Sequence, residues 1–145
     1  MSFPTPVPGL VIRYSFLWRD QALRGQEEGE KDRPCAIVLV TGEVGSDQVV
    51  LVLPITHSPP SDPSLAVKIP PETKRRLGLD DEQSWIVVTD ANRFVWPGPD
   101  LRPLARGDAS SIAYGNLPLK LFYEVREKFA RAIEARLASL TRRTE

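Results

Sequence analysis

Cys35-Ala36-Ile37-Val38-Leu39-Val40-Thr41 and Val49-Val50-Leu51-Val52-Leu53 are two nearly continuous apolar runs, and they decide the fold. Their length and their content of β-branched residues predict two strands. The segment between them, residues 42–47, holds two glycines, a serine and an aspartate, which are typical of a hairpin connection. Pro54 has no backbone N–H to give to a ladder, so the second strand is expected to leave the sheet there.

Shorter segments on either side of this hairpin complete a mainly β pattern. Each is rich in β-branched, aromatic or other apolar residues and is bounded by turn-forming residues. The predicted strands are Leu10–Phe16, Leu65–Ile69 and Trp85–Thr89, with Asp90–Phe94 as a continuation after a kink. The polar segment Arg19–Asp32 has no apolar period and is predicted to be a flexible surface loop, made acidic by Glu27, Glu28 and Glu30.

Two segments carry helix signals. Residues 70–78 begin with two prolines and end in Leu77-Gly78, which predicts one short helical turn. From Pro118, apolar residues recur at steps of three and four, which predicts an amphipathic helix over about residues 118–141. These positions are Phe122, Val125, Phe129, Ile133, Leu137 and Leu140. Residues 1–145 are therefore expected to form one mainly β (α+β) domain, a small, partly open antiparallel barrel over about residues 9–117 with the helix packed on it.

The composition narrows the possible functions. Nineteen basic and nineteen acidic residues balance, so RNA binding would depend on a local patch. The single cysteine, Cys35, excludes an intramolecular disulfide and a cysteine metal cage, and its apolar neighbours predict a buried side chain. No phosphate loop, dinucleotide fingerprint or paired-histidine spacing occurs, so neither a cofactor nor a metal is expected. The absence of a signal-peptide pattern and of an apolar stretch of roughly 20 residues predicts a cytosolic protein outside the membrane.

Arg33 is the first candidate site residue. The following Pro34 disfavours the helical conformation in Arg33 and holds it extended at the mouth of the second strand. A guanidinium on a rigid element is suited to clamp a phosphate, with Lys31 nearby in sequence. The alternative is an ordinary surface arginine beside an acidic loop.

A second cluster, Thr56-His57-Ser58, follows the apolar part of the neighbouring strand. In a hairpin these residues can lie near Arg33. A threonine or serine hydroxyl donates well to a phosphate oxygen, and a histidine transfers protons near neutral pH. The alternative is a polar turn in which Thr56 and Ser58 bond to the backbone.

Asp90 and Arg93 form a third candidate at the rim of the sheet. Asp90 either orients a base or Arg93, or simply ends the strand. The three tryptophans offer rings on which nucleic-acid bases can stack. Trp18, beside the polar loop, is the better stacking candidate, whereas the apolar neighbours of Trp85 predict a core position.

In this order along the chain, these features resemble the PemK/MazF family of toxin–antitoxin endoribonucleases. The matching segments are Gly9-Leu10-Val11-Ile12, a variable loop, Lys31-x-Arg33-Pro34 with its apolar strand, Pro54-Ile55-Thr56, Leu77-Gly78-Leu79, Asp90-x-x-Arg93, Gly115-x-Leu117 and a C-terminal helix. They cover nearly the whole chain. Two departures accompany them, since the Arg19–Asp32 segment holds no histidine and Val88 stands where some members have arginine.

The resemblance implies an SH3-like barrel, a homodimer and metal-independent cleavage of single-stranded RNA through attack of a 2′-hydroxyl on the adjacent phosphorus. It implies that Arg33 is the principal catalytic residue and that Thr56 holds a non-bridging oxygen. His57, next to this threonine, is expected to serve as the base. With the candidates above, the expected substrate-binding residues are Lys31, Ser58, Asp90, Arg93 and Trp18.

The resemblance also implies a cognate antitoxin protein that occludes the groove. The recognised RNA bases would be set by the loops Arg19–Asp32 and Ser58–Pro63. Two other functions stay open at this point. One is a non-catalytic binding module of the same fold, and the other is a toxin of the related branch that poisons DNA gyrase without cutting nucleic acid.

Overall fold

A computed structural model of the chain describes residues 3–26, 29, 31–43 and 46–143. The strands are β1 (Leu10–Tyr14), β2 (Arg33–Thr41), β3 (Val49–Thr56), β4 (Ala66–Lys68), β5 (Trp85–Val87), β6 (Asp90–Val95), β7 (Ala113–Asn116) and β8 (Ser139–Arg142). The helices are α1 (Arg19–Leu23), α2 (Pro71–Leu77) and α3 (Leu119–Glu134). The fold is mainly β with added helices, as predicted. Within the described residues, no helix has the length and apolar content needed to cross a bilayer.

The strands form one sheet that stays open over the described part of the chain. Its main path runs β4-β5-β3-β2-β1-β7, and β6 branches from β3 to pair with β8. Neighbouring strands are antiparallel, except that β6 and β8 run parallel. Because β3 pairs with β2, β5 and β6, the predicted hairpin is the centre of the sheet.

The prediction that the second strand leaves the sheet at Pro54 is wrong. β3 continues to Thr56, and Pro54 marks a change of partner instead. The ladder with β2 ends at Pro54, which lies opposite Cys35, and the further partner of β3 changes from β6 at Val49–Val52 to β5 at Ile55 and Thr56. Proline lacks the N–H that a ladder position uses, so it fits the junction between two ladders. The junction places Thr56 opposite Trp85 of β5.

Both faces of the central hairpin are buried over Cys35–Val38 and Val52–Ile55, which explains why these segments lack a polar alternation. Successive residues of a strand point to opposite faces. In β2, Ala36 and Val38 belong to one core cluster, whereas Cys35 and Ile37 belong to the other. The first cluster is covered by α2 and α3, and the second is covered in part by the connection between β6 and β7. Cys35 is buried, as predicted.

The C-terminal helix forms as predicted but ends at Glu134, well before residue 141. The chain turns at Arg136, whose φ of 58° is left-handed. The N–H groups of Arg136 and Leu137 bond to carbonyls of the last helical turn, which is the Schellman pattern that stops a helix. Glycine usually occupies the left-handed position, so an arginine there leaves no clear signal in the sequence.

The segment after this turn is a strand, β8, where the apolar period predicts helix. The following residue, Arg143, is buried. Three residues that the helical period assigns to the packed face are instead about half exposed, Ile133 at 52%, Leu137 at 55% and Leu140 at 53%. The residues of α3 that are buried are Phe122, Val125, Phe129 and Ala132.

The segment Arg19–Asp32 is not a loop throughout, because its first residues form α1. Two side chains accept hydrogen bonds from free N–H groups at the start of this helix. Gln21 accepts from Trp18 N at 3.1 Å, and Asp90 accepts from Arg19 N at 3.0 Å. The second acceptor comes from β6, so local sequence alone does not predict the helix. Glu27, Glu28 and Glu30, and also Val44 and Gly45 of the predicted hairpin turn, lie outside the described residues.

The remaining elements lie near their predicted positions. β1, β4 and β5 are shorter than their sequence patterns, and α2 extends over seven residues. A bend at Val88 and Thr89 separates β5 from β6, as the predicted kink requires. β7, which the sequence pattern does not predict, pairs with β1.

Candidate functional site

An open cleft of about 760 Å³ lies beside the point where β3 changes partner. Its walls come from the ends of β2 and β3, the loop after β3, the connection from α2 to β5, and parts of β5 and β7. Six of the eight predicted site residues line this cleft, although they come from three separate parts of the sequence. They are Trp18, Lys31, Arg33, Thr56, His57 and Ser58.

Arg33 is a half-buried cation in this cleft. Its Nη1 donates a long hydrogen bond of 3.5 Å to the carbonyl of Ile55, the residue before Thr56. Its guanidinium lies 5.1 Å from the centre of the Trp18 ring. Its Nε is buried and has no hydrogen-bond partner among the described residues. The side chain is therefore held in place with part of its donor capacity unused.

Arg33 has no counter-ion among the residues that the structure describes. Burial removes water from the guanidinium and lowers the pKa of Arg33. No carboxylate of the described residues forms an ion pair with it. Two carboxylates of the described residues line the cleft, and both have other partners, since Asp32 pairs with Arg13 at 4.0 Å and with Arg102 at 3.5 Å. The second, Asp80, pairs with a buried lysine. This distribution of charge favours an anionic ligand at Arg33.

Thr56 lies at the end of β3, next to Arg33 in the cleft. Its hydroxyl oxygen accepts a hydrogen bond from the N–H of Ser58 at 3.2 Å. This contact is the polar turn that the alternative interpretation predicts. It also orients the hydroxyl, whose O–H makes no hydrogen bond within the described residues and is available to a ligand. Ser58 and Lys31 are exposed at the rim.

His57 lies between two carboxylates at the cleft. Its Nε2 is 2.7 Å from Asp80 Oδ2, and its Nδ1 is 3.4 Å from Glu82 Oε2. A hydrogen bond from Lys74 is the main cause that lowers the pKa of Asp80, and the bond with His57 adds to it. Asp80 is therefore ionised and Nε2 carries the shared proton. The contact between Nδ1 and Glu82 is longer, and the Glu82 side chain is 67% exposed. Nδ1 therefore loses its carboxylate partner more easily than Nε2 does.

Lys74 and Asp80 are site residues that the sequence pattern does not reveal. Lys74 is 5% exposed, and its ammonium donates to Asp80 Oδ1 at 2.6 Å, to Ser84 Oγ at 2.6 Å and to the carbonyl of Glu82. The connection from α2 to β5 thus wraps around one buried ammonium and fixes Asp80 against His57. In sequence, Lys74 belongs to a basic run with Arg75 and Arg76, which by itself indicates a solvated helix face.

The same cluster contains residue types that bind divalent metals. One donor atom each of His57, Asp80 and Glu82 lies within 4.8 Å of the others. All three residues are exposed, and the two oxygens of Asp80 already accept from Lys74 and from His57. The arrangement is that of a hydrogen-bonded ion network around Asp80.

Asp90 and Arg93 are not brought to the cleft. Asp90 caps α1 through Oδ2, and its Oδ1 is buried without a hydrogen-bond partner among the described residues. Burial raises the pKa of Asp90 to about 6. Arg93 lies within β6, opposite Leu51 of β3 and Arg142 of β8. The positions of both residues are set by the sheet and by α1.

Trp18 lines the cleft, and a buried network holds it. The N–H of the preceding residue, Leu17, donates to Asn92 Oδ1 at 2.9 Å, and Asn92 Nδ2 donates to the carbonyl of Leu17 at 2.7 Å. Asn92 in turn accepts from Arg143 at 3.1 Å. Because Arg33 lies over the Trp18 ring, this network indirectly helps to position the cation.

A scan against protein-family models finds none that matches this chain, and a search of curated proteins finds no matching sequence. The inference of function therefore rests on the geometry and charge of the cleft.

Proposed function

We propose that this chain is a metal-independent endoribonuclease of the PemK/MazF type, which cuts single-stranded RNA and inhibits growth as a toxin. One observation carries the proposal. Arg33 is a half-buried guanidinium without a carboxylate partner among the described residues, in a cleft that also holds a threonine hydroxyl and a histidine. A phosphodiester would supply the missing negative charge, and the adjacent ribose would supply the nucleophile.

Arg33 and Thr56 are assigned to the scissile phosphate. As the 2′-hydroxyl attacks the adjacent phosphorus, negative charge grows on the non-bridging oxygens. The guanidinium donates its N–H groups to this charge, and the Thr56 hydroxyl donates to one non-bridging oxygen. Donors that are positioned before the reaction stabilise such charge without reorganisation. The products are a 2′,3′-cyclic phosphate and a 5′-hydroxyl.

His57 is assigned to proton transfer, with Asp80 as its positioning residue. Asp80 accepts the Nε2–H of His57, so Nδ1 is the nitrogen with a lone pair. Once Glu82 turns away, Nδ1 accepts the proton of the 2′-hydroxyl as its oxygen attacks. The departing 5′-oxygen takes a proton from water, which the open cleft admits.

The proposal includes an SH3-like barrel, a homodimer and an antitoxin. The partner change of β3 at Pro54 and the burial of both faces of the hairpin support a sheet that curves as small, partly open barrels do. An antitoxin with an acidic segment would meet Arg33 and Lys31 in the cleft. Light scattering on the purified protein would test the dimer, and an acidic peptide that blocks cleavage would support the antitoxin.

A non-catalytic binding module of the same fold is the second candidate function. The observation that favours it is the position of His57, both of whose ring nitrogens face carboxylates. Such a protein would bind single-stranded nucleic acid through Arg33 and leave it intact. Normal growth on strong expression would support it, whereas growth arrest with intact RNA and inhibited DNA supercoiling would indicate a gyrase poison.

The direct test is incubation of the purified protein with single-stranded RNAs of varied sequence in EDTA, followed by mapping of the fragment ends. We expect cleavage at short sequences, with a cyclic phosphate or 3′-phosphate on one fragment and a 5′-hydroxyl on the other. DNA of the same sequence is the control, because it lacks the nucleophile and should stay intact. RNA that stays intact across all sequences would refute the catalytic assignment.

A further inference from the structure

Residues of β5 and β4 continue the face of the sheet that carries Thr56. In antiparallel pairs, directly opposite side chains share one face. Thr56 lies opposite Trp85, and Trp85 lies opposite Lys68. These side chains therefore form a row across β3, β5 and β4, which starts in the cleft and ends at the β4 edge of the sheet.

The prediction that Trp85 lies in the core is wrong. It is partly exposed, and its neighbour Ile86 takes the core position with an exposure of 0%. The ammonium of Lys68 lies 5.9 Å from the centre of the Trp85 ring. The face that continues from Thr56 thus carries an aromatic ring with a cation over it, and neither side chain belongs to the lining of the cleft.

We propose that Trp85 and Lys68 form a nucleotide subsite next to the scissile phosphate. A base stacks on the Trp85 ring, and Lys68 neutralises the phosphate of the same nucleotide. The proposal rests on the proposed function, because it takes Arg33 and Thr56 as the site of the scissile phosphate. Two strand spacings, about 10 Å, separate Thr56 from Lys68, a distance that one extended nucleotide can cover.

The chemistry of the row favours a single nucleic-acid strand as its occupant. An aromatic ring accepts the face of any base, and cations on either side of it match successive phosphates. Arg33 lies at the cleft end of this surface, and Lys68 lies at the sheet edge. The two cations and the ring between them thus repeat the phosphate–base–phosphate order of a strand.

The test measures binding of fluorescein-labelled 2′-O-methyl pentanucleotides of mixed sequence, which cannot be cut, by fluorescence anisotropy. Trp85→Leu removes the ring but keeps apolar bulk, and we expect it to weaken binding about 5- to 100-fold, the effect of one lost base stack. Trp85→Phe keeps a ring and should stay within about threefold of the wild type. Lys68→Gln should weaken binding and reduce the slope of log affinity against log salt by about 0.7, the effect of one lost phosphate contact.

Tyr123→Leu is the matched control. Tyr123 and Arg126 form another aromatic–cation pair, at 4.8 Å on α3, and neither residue lines the cleft. This variant should bind the pentanucleotides like the wild type. Thermal unfolding of each variant separates lost binding from lost folding, and because Lys68 is exposed its substitution tests the subsite even if Trp85→Leu fails to fold.

The outcomes separate the subsite from the nuclease. If Trp85→Leu and Lys68→Gln bind like the wild type while Arg33→Ala loses binding, the subsite is overturned and the proposed function stands. If both subsite variants lose binding but wild-type protein leaves RNA intact, the subsite is supported and catalysis is refuted. If the wild type cuts RNA but binds none of the pentanucleotides, the subsite is overturned.

Discussion

Arg33 and Arg143 are both withdrawn from water, but they have opposite surroundings. Arg143 is 5% exposed, forms an ion pair with Asp100 at 3.1 Å and donates to Asn92 at 3.1 Å. Arg33 has one long hydrogen bond to the carbonyl of Ile55 and a contact with an aromatic ring. Arg143 is matched by a carboxylate, whereas Arg33 has no carboxylate partner within the described part of the chain.

We interpret Arg143 as a structural cation and propose that Arg33 is a binding cation. Withdrawing a charge from water costs free energy unless a counter-charge and hydrogen bonds replace the lost hydration. Arg143 meets this requirement inside the protein and joins the end of β8 to Asn92 of β6. Arg33 finds no such counter-charge among the described residues, and an anion bound in the cleft would supply one. The predictions below test this contrast, from the largest expected effect to the smallest.

Removing the paired arginine should have the largest effect on stability. Arg143→Met leaves Asp100 as a buried carboxylate without this cation, and we expect the free energy of unfolding to fall by about 3–5 kcal/mol. Urea unfolding measures the change. Arg142→Met is the control, because Arg142 is exposed on β8 and its loss should change stability by at most about 0.5 kcal/mol. Equal effects of the two substitutions would contradict a structural role specific to Arg143.

Substitutions at His57 and Asp80 should lower the rate of RNA cleavage and have little effect on the stability of the fold. His57→Ala should lower the rate of RNA cleavage by about 100-fold or more, the effect of losing a general base. Asp80→Asn should also lower it, since an amide no longer fixes the tautomer. Glu82→Gln is the matched control, because it removes the carboxylate that faces Nδ1, and it should retain or raise activity. If Glu82→Gln abolished cleavage while His57→Ala did not, the assignment of the base would be wrong.

Asp90 should make stability depend on pH. Its folded pKa of about 6 lies above its ordinary value of 3.8, so between these values the native state holds more protons than the unfolded state and stability falls as pH rises. Asp90→Asn should therefore be more stable than the wild type at pH 7 by about 1 kcal/mol, a figure reduced for partial exposure, and the difference should vanish near pH 4.

Asp62 should show the opposite dependence of stability on pH, because its pKa is lowered where that of Asp90 is raised. A hydrogen bond from the N–H of Ser64 is the main cause that lowers the pKa of Asp62. Its stabilising contribution is therefore present at neutral pH and is lost as pH falls through its folded pKa. Asp62→Asn should lower stability at pH 7, and equal signs for the two variants would contradict the account of Asp90.

Replacing the unmatched arginine should have the smallest effect on stability. Arg33→Met removes a half-buried charge with no carboxylate partner among the described residues, so the free energy of unfolding should change by at most about 0.5 kcal/mol or should rise. Urea unfolding beside Arg143→Met gives the comparison. A loss of several kcal/mol in Arg33→Met would show that Arg33 also holds the fold.

The central hairpin could be predicted from the sequence because its signals are local. Two apolar runs predict the strands, and Pro34 marks the start of β2 near the cleft, although β3 continues past Pro54 to Thr56. The neighbouring positions of Arg33 and Thr56 follow from this pairing. His57 and Ser58 follow Thr56, the last residue of β3, so most of the predicted site residues line one cleft.

The parts that could not be predicted depend on distant or unusual residues. α1 is capped by Asp90, which belongs to β6, so the sequence of α1 alone predicts a loop. α3 stops at a left-handed arginine, Arg136, where the sequence pattern continues. Lys74 differs from the other basic residues of α2 only through its buried contacts. The sequence pattern places Asp90 at the end of the strand before it, but Asp90 is the first residue of β6 and caps α1.

The most direct test of the account is the single-turnover cleavage rate of a mapped RNA substrate in EDTA, measured for wild type, Arg33→Ala and Arg75→Ala. Arg75 is exposed on α2 and does not line the cleft, so its loss controls for the removal of one positive charge. We predict that the wild type and Arg75→Ala cut at similar rates and that Arg33→Ala is slower by about 100- to 1,000-fold, the effect of losing one donor to the transition state. Cleavage by Arg33→Ala at the wild-type rate would contradict the central claim.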